Sequence, residues 1–293
     1  MRIAYLITAY SDFRHLERLV GALDDPRAGF LIHIDARSHV PEGVIERLTA
    51  RGNVVFAPRR PVWWGGWSHV AAILSLMELA VDGDGGYDCC VILSGADYPI
   101  RPNDTIFETL AAGGQYINAT PGFRPSKPES RVKYYRFDGF DRRNLHNPKT
   151  ILLRGAETIL RTLGIHKRKY PFTQIYSGIV WSALSAPCVR YILDYVRAHP
   201  GYTRFFRTAQ VPEEMFFQTI TGNSPFAAEI RHTPTYIDWD HPSASPPIIT
   251  EQYLPLLATR PRLFARKFND HSSPVLDLID TQLRGIGHHG EMG

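Results

Sequence analysis

Apolar residues follow two alternating rhythms along the first third of the chain. Four stretches are apolar almost without a break: RIAYLITA at 2–9, GFLIHID at 29–35, NVVFA at 53–57 and YDCCVILSG at 87–95. Such runs read as strands buried on both faces. Between them the spacing becomes helical. Phe13, Leu16, Leu19, Val20 and Leu23 share one face of residues 12–24, with Ser11 as the expected cap. Val70, Ile73, Leu74, Met77, Ala80 and Val81 share one face of residues 67–81. Asn103 starts a further short helix. This alternation predicts an α/β fold, a mostly parallel sheet flanked by helices, with ligands at the carboxyl ends of the strands. The residues at those ends are Thr8 to Ser11, His33 to Arg37 and Ser94 to Tyr98.

The rest of the chain is less regular. Residues 120–150 are rich in Pro, Arg, Lys, Tyr and Phe and predict long loops; residues 151–163 fit a helix. GIVWSAL (178–184) predicts a strand, followed by a helix from Pro187 to about His199. A short strand runs through TYIDWD (235–240), HPSASPP (241–247) is a loop, RLFARKF (262–268) is a strand or helix start, and a last helix covers about 273–284. There is no internal repeat. The expected organisation is one domain over 1–285, with a nucleotide-binding half (1–115) and an acceptor and catalytic half (116–285), then a disordered tail, 286–293.

Composition narrows the class. The chain has 293 residues, 44% hydrophobic and 21% charged, an ordinary globular balance with ample length for a core. A net charge of +4 does not itself argue for nucleic acid, but it suits an anionic ligand if the cations cluster. Cys89, Cys90 and Cys188 offer neither a disulfide framework nor zinc spacing, which points to a reducing compartment. The apolar start, MRIAYLITAY, is too short to span a membrane and lacks a small-residue cleavage site.

Several common chemistries lack their motifs. No GxGxxG follows the first strand, and there is no GxxxxGK[ST], no GxSxG and no HExxH. Such a sheet still suits nucleotide sugars, often held through a metal on an Asp-x-Asp after a central strand. Asp82-Gly83-Asp84 lies at the amino edge of the fourth strand, the wrong side of the sheet. Asp238-Trp239-Asp240, after a late strand, is the better candidate. After the fourth strand itself stands SGADYP, with the single carboxylate Asp97, so diphosphate binding without an obligatory metal is expected. A departing diphosphate then needs protein cations, and Arg260, Arg262, Arg266 and Lys267 cluster in RPRLFARKF.

VPEEMFFQTI (211–220) raises the question of catalysis. A proline and two acids suit a helix start, because proline needs no N–H partner there and acids face the positive end of the dipole. One of the two could equally serve as a base. On a helical wheel Glu213 shares a face with Phe216, Phe217 and Ile220, while Glu214 borders it.

Seven pieces in register, AYLITAY, LIHIDARS, WWGGWSHVAAILSLM, YDCCVILSGADYPI, VPEEMFFQTI, YIDW and LFARKF, cover residue 4 to about 268. In this order they resemble the core-2/I-branching β-1,6-N-acetylglucosaminyltransferases and the related peptide O-xylosyltransferases. The resemblance implies a GT-A-like fold, a UDP-sugar donor, inversion at the anomeric carbon, and catalysis without the usual metal or any other cofactor. It makes Glu214 the base, with Glu213 as alternate. It assigns Asp35 to the uracil base and Lys267 to the diphosphate, and puts Trp239 near the acceptor sugar. Arg131 and Lys133 fall in the loop that contacts acceptor in the family, and Asp97 lies near the donor sugar or braces its loop. Thr8, Arg262 and Arg266 complete the expected donor site, while Trp64, Trp67 and Ser68 belong to a motif that orders the helix beneath it.

Where animal members carry a second diphosphate arginine, this chain reads SASPPII, so either Arg260, Arg262 or Arg266 compensates or the clamp differs. The animal enzymes also carry a membrane anchor, a stem and disulfides. Without them the expectation is a bacterial catalytic domain, cytoplasmic or peripheral to the inner membrane, acting on a lipid-linked or capsular glycan. N-acetylglucosamine is the first donor expected and xylose the second. The rivals are a metal-dependent glycosyltransferase using Asp238 and Asp240, and a non-catalytic glycan- or nucleotide-binding protein of the same fold.

Overall fold

A computed structural model describes residues 1–142, 144–167, 169–239 and 245–286. The tail expected to be disordered, past Ile286, lies outside the described residues, as do Asp240 and the start of the HPSASPP loop. Among the described residues, twelve strands run in chain order: β1 (Ile3–Ala9), β2 (Ala28–Ile34), β3 (Val54–Phe56), β4 (Cys89–Ser94), β5 (Asp97–Pro99), β6 (Gln115–Tyr116), β7 (Thr120–Pro121), β8 (Tyr176–Ser177), β9 (Ser182–Ser185), β10 (Ile230–Arg231), β11 (Thr235–Ile237) and β12 (Phe264–Arg266). Seven form the main sheet in the order β10-β6-β9-β4-β1-β2-β3. β1 pairs parallel with β2 and with β4, the arrangement their unbroken apolar runs require. β9 runs antiparallel to β4. The sheet therefore draws strands from both halves of the chain.

The helices are α1 (Phe13–Ala22), α2 (Val44–Thr49), α3 (Trp67–Asp82), α4 (Asn103–Ala111), α5 (Ser130–Lys133), α6 (Pro148–Thr162), α7 (Ala186–Ala198), α8 (Pro200–Phe206), α9 (Phe216–Gly222), α10 (Leu254–Thr259) and α11 (Ser273–Leu278). Side chains of β1 alternate between two apolar layers, as the period of a strand demands. Ile3, Tyr5 and Ile7 pack with α1 and α11, while Ala4 and Leu6 pack with α3, α7 and α9. Cys89 and Cys90 divide between the same layers. All three thiols are free and buried, and burial pushes those of Cys90 and Cys188 up to about 12.

Three local expectations need correction. Ser11 does not cap α1: its hydroxyl donates to Asp12 (2.6 Å), and the first-turn N–H of His15 bonds instead to Asp270 (2.8 Å), 255 residues away. The helix expected from VPEE is two pieces, a 3₁₀ turn at Pro212–Glu214 and then α9. The strand expected over 178–184 is regular only at Ser182–Ser185, and α8 was not foreseen.

A smaller sheet positions the site. β12 lies between β5, antiparallel, and β11, parallel. Arg266 is thereby set opposite Asp97 and beside Ile237. The ends of β4 and β11 and the sequence ARKF meet at one edge.

Candidate active site

The turn that carries the two glutamates is backbone-strained. Val211 has φ 48°, a left-handed conformation that costs a β-branched residue more than most. Its N–H bonds to Gly65 O (2.9 Å), in the WWGGW segment. Gly65 itself has φ 70°, and a Cβ there would stand 3.3 Å from Val211 Cγ2. Ser68 accepts from Trp63 N (2.8 Å), its own N–H donates to Asp138 (2.6 Å), and Trp67 packs edge-on against Phe216. Trp67 and Ser68 thus lie at the start of α3 beneath this turn, whereas Trp64, expected with them, is 65% exposed.

The glutamates diverge from there. Glu213 is 8% exposed; its Oε1 lies 3.3 Å from His69 Nδ1 and its Oε2 is buried without a hydrogen-bond partner among the described residues. Glu214 keeps 17% of its side chain exposed, and its Oε2 takes Arg131 Nη1 at 2.5 Å and Lys127 Nζ at 3.0 Å. Its backbone carbonyl accepts from Gly178 N (2.8 Å). Arg131 is held in turn by Ser126 O (2.7 Å). Lys133 is not in this group; it faces Glu129 at 4.0 Å.

A buried row of groups joins the glutamate turn to the end of β12. The Arg266 guanidinium lies 4.1 Å from the centre of the Trp181 ring, a cation–π contact. The Trp181 ring lies 6.5 Å from that of His69, which touches Glu213. On its other side Arg266 Nε is 3.6 Å from Asp97 Oδ1. Neither atom has a hydrogen bond, so the pair is coulombic only. Asp97 is 0% exposed, and its Oδ2 accepts from the Ser94 hydroxyl (2.7 Å) and the Ser94 N–H. Burial pushes the Asp97 carboxyl up, against the opposing pull of Arg266 and Ser94. Burial likewise pushes the Arg266 guanidinium down, although Asp97 favours its charge. Asp97 therefore braces Arg266 from behind and does not reach the surface.

The remaining expected residues are placed as follows. Lys267 is half-buried beside Arg266 and makes no ion pair among the described residues. Asp35, after β2, accepts on Oδ1 from Arg37 N (2.9 Å) and Val62 N (3.1 Å). Its Oδ2 bonds no described group. Thr8 is half-buried at the same edge, in register with His33 and Ser94. Trp239, past β11, is 51% exposed. Arg262 does not sit with these: it precedes β12, four positions before Arg266, about 13 Å along an extended chain. Arg260 is at that far end too, where its carbonyl accepts from Arg101 (2.6 Å).

Asp238 is committed to Tyr253, whose hydroxyl donates to it at 2.6 Å and is pushed up to about 12 by that bond. Among the described residues no three His, Cys, Asp or Glu side chains gather as metal ligands. Asp82 pairs with Arg197 (3.3 Å) at the end of α3, far from the carboxyl edge. Two depressions, of about 460 and 360 Å³, open beside α1 and α2, and neither is lined by the glutamates or by Arg266; the smaller adjoins Asp35 through Arg59.

Sequence reasoning missed Lys127, His69 and Trp181. Lys127 stands in a loop with no motif. Trp181 immediately precedes β9, in a stretch that reads as core, and His69 sits within the family-like WWGGWSHV, where a signal was available but unused.

These elements are those of a known family. The model of the Core-2/I-Branching enzyme family matches residues 3–257, and the chain belongs to that family. It is similar to Xylosyltransferase oxt of Drosophila melanogaster, 27% identical over 252 residues, covering 81% of this chain and 26% of that protein. It is also similar to Xylosyltransferase 2 of Homo sapiens, 27% identical over 312 residues, covering 97% of this chain and 34% of the other. The chain thus spans about a quarter to a third of these relatives. Among solved structures, S. aureus TarS 1–349 in complex with UDP overlaps at TM-score 0.34 and 9% identity, over 65% of this chain and 48% of that one.

Proposed function

We propose that this chain transfers a sugar from a UDP-sugar to a hydroxyl of a glycan acceptor, with inversion at the anomeric carbon and no obligatory metal. The acceptor O–H gives its proton to Glu214 as its oxygen bonds to the anomeric carbon. The bond from that carbon to the diphosphate oxygen breaks, and UDP leaves with the electron pair. Lys267 and Arg266 offset the charge that gathers on the diphosphate, while Asp35 offers its Oδ2 to the uracil and Thr8 lines the same edge. Trp239 is an exposed platform for the acceptor sugar. Nucleic acid has no place in this reading.

The observation that supports it most is the row Arg266–Trp181–His69–Glu213, which joins the end of β12 to the glutamate turn. Glu214 is preferred over Glu213 as base because Glu213 is enclosed, whereas Glu214 retains an accessible oxygen. The donor is UDP-N-acetylglucosamine or UDP-xylose, and the xylosyltransferases among the relatives favour the second. The test is UDP release from a panel of UDP-sugars in excess EDTA. Release from one donor supports the reading. Release that requires added metal overturns its metal-free part, and binding without release from any donor, acceptor glycans included, overturns catalysis.

A further inference from the structure

Helix α6 is built inside out. Its buried positions are polar, Thr150 and Glu157, and Glu157 takes Arg142 (2.5 Å), Arg136 (3.2 Å) and the Phe137 N–H (2.8 Å). Its outward side is apolar: Ile151, Leu152, Ile159 and Leu163 are 59–71% exposed. At about 100° per residue these four fall within an arc of about 120°. Pro148, Gly155 and Thr162 share that arc, and no charge does. Leu145 and Ile165 extend the exposed apolar surface beyond the two ends. A contiguous apolar face of this kind marks an interaction surface.

The charge around it identifies the occupant. Residues 142–170 hold eight Lys or Arg and one acid, Glu157, while the rest of the chain has 25 Lys and Arg against 28 Asp and Glu. Lys149, Arg154, Arg161 and Lys169 are exposed there, and no carboxylate pairs with any of them among the described residues. A second copy of the chain in a symmetric pair would present the same cations to themselves. An anionic bilayer presents the opposite charge, together with an apolar interior for the isoleucines and leucines.

We propose that the outer face of α6 docks the protein on an anionic lipid surface, the helix lying in the plane of the headgroups. The segment that precedes α6 carries Arg131, on Glu214, and Asp138, on the start of α3. Docking is independent of which sugar is transferred, and of whether any is.

The test is flotation of the full chain with vesicles of phosphatidylglycerol and phosphatidylcholine in equal parts, against phosphatidylcholine alone. Binding to the anionic vesicles only is expected, weakening as salt rises. Leu152→Gln with Ile159→Gln should lower bound protein about tenfold or more, and leave UDP release in vesicle-free buffer unchanged. Arg154→Gln with Lys169→Gln should weaken binding by about fivefold per charge removed. Circular dichroism of each variant confirms the fold. Failure to bind anionic vesicles, equal binding to neutral ones, wild-type binding by the leucine–isoleucine variant, or a dimer that the same variant dissociates would each overturn the proposal.

Discussion

Arg131 Nη1 lies 2.5 Å from Glu214 Oε2, and Lys127 Nζ approaches the same oxygen at 3.0 Å. Both cations sit on one oxygen, and no described side chain bonds Oε1. The carboxylate is thus held in one orientation, with one oxygen left for the proposed proton transfer. A misplacement of about 1 Å in such a group can cost about a hundredfold in rate. Arg131→Ala should therefore lower kcat for UDP release by about one to two orders of magnitude, with a smaller loss of stability than a stranded buried charge causes, since Lys127 still pairs with Glu214. Lys133→Ala, on the neighbouring Glu129, should leave kcat near wild type. Steady-state kinetics of the two variants side by side check this.

The buried pair of Asp97 and Arg266 leads to a different expectation. Removing one member strands the other charge in the interior, which typically costs about 3–5 kcal/mol. Asp97→Ala should thus lower stability by about that amount in chemical denaturation. Asp97→Asn, which keeps the hydrogen bonds with Ser94, should cost less but still loosen Arg266 and raise KM for the donor.

How much of this was legible in the sequence depended on range. Strands β1, β2 and β4 announce themselves because a strand covered on both faces must be apolar throughout. The inward turn of Glu213 was visible from its shared face with Phe216, Phe217 and Ile220, even though the segment is a 3₁₀ turn followed by a helix. Arg262 looked like a neighbour of Arg266 because four positions are few in sequence, yet a strand spreads them over most of its length. Asp97, which follows a central strand, could be placed near the donor sugar or bracing its loop; only the antiparallel partner β12, some 170 positions on, shows that it lies buried behind Arg266. Lys127 could not be found, because its role comes from a loop folding onto Glu214.

Gly178 offers a steric test of the glutamate turn. Its N–H bonds to the Glu214 carbonyl, and a Cβ there would stand 1.5 Å from the Asn118 carbonyl oxygen. Backbone must move to admit it. Gly178→Ala should therefore both destabilise the fold and suppress UDP release, whereas Gly155→Ala, in open space on α6, should do neither. Thermal melts and activity of the two proteins distinguish local strain from a general intolerance of alanine.

Lys167 gives the fold a dependence on pH. Its ammonium donates to Phe205 O (3.0 Å) and Thr208 O (2.9 Å), and burial pulls it down to about 8 from 10.5. Between those two values the unfolded chain binds the proton and the folded chain releases it, so stability rises with pH across that window. The burial penalty is fully felt below about pH 8. Relative to Lys167→Met, the wild type should gain about 2 kcal/mol from pH 8 to about 10.5, once solvent screening is allowed for. Urea melts across that range measure it, and parallel curves for the two proteins would contradict it.

The central claim is that Glu214 takes the proton. The most direct measurement is single-turnover UDP release, in EDTA, by the wild type, Glu214→Gln and Glu213→Gln, each shown to bind the donor equally. The expected result is a loss of about 10²–10⁴-fold in Glu214→Gln, the range of general-base catalysis, and a smaller loss in Glu213→Gln. Wild-type release by Glu214→Gln, with the large loss in Glu213→Gln, would contradict the assignment and put the base on the buried carboxylate beside His69.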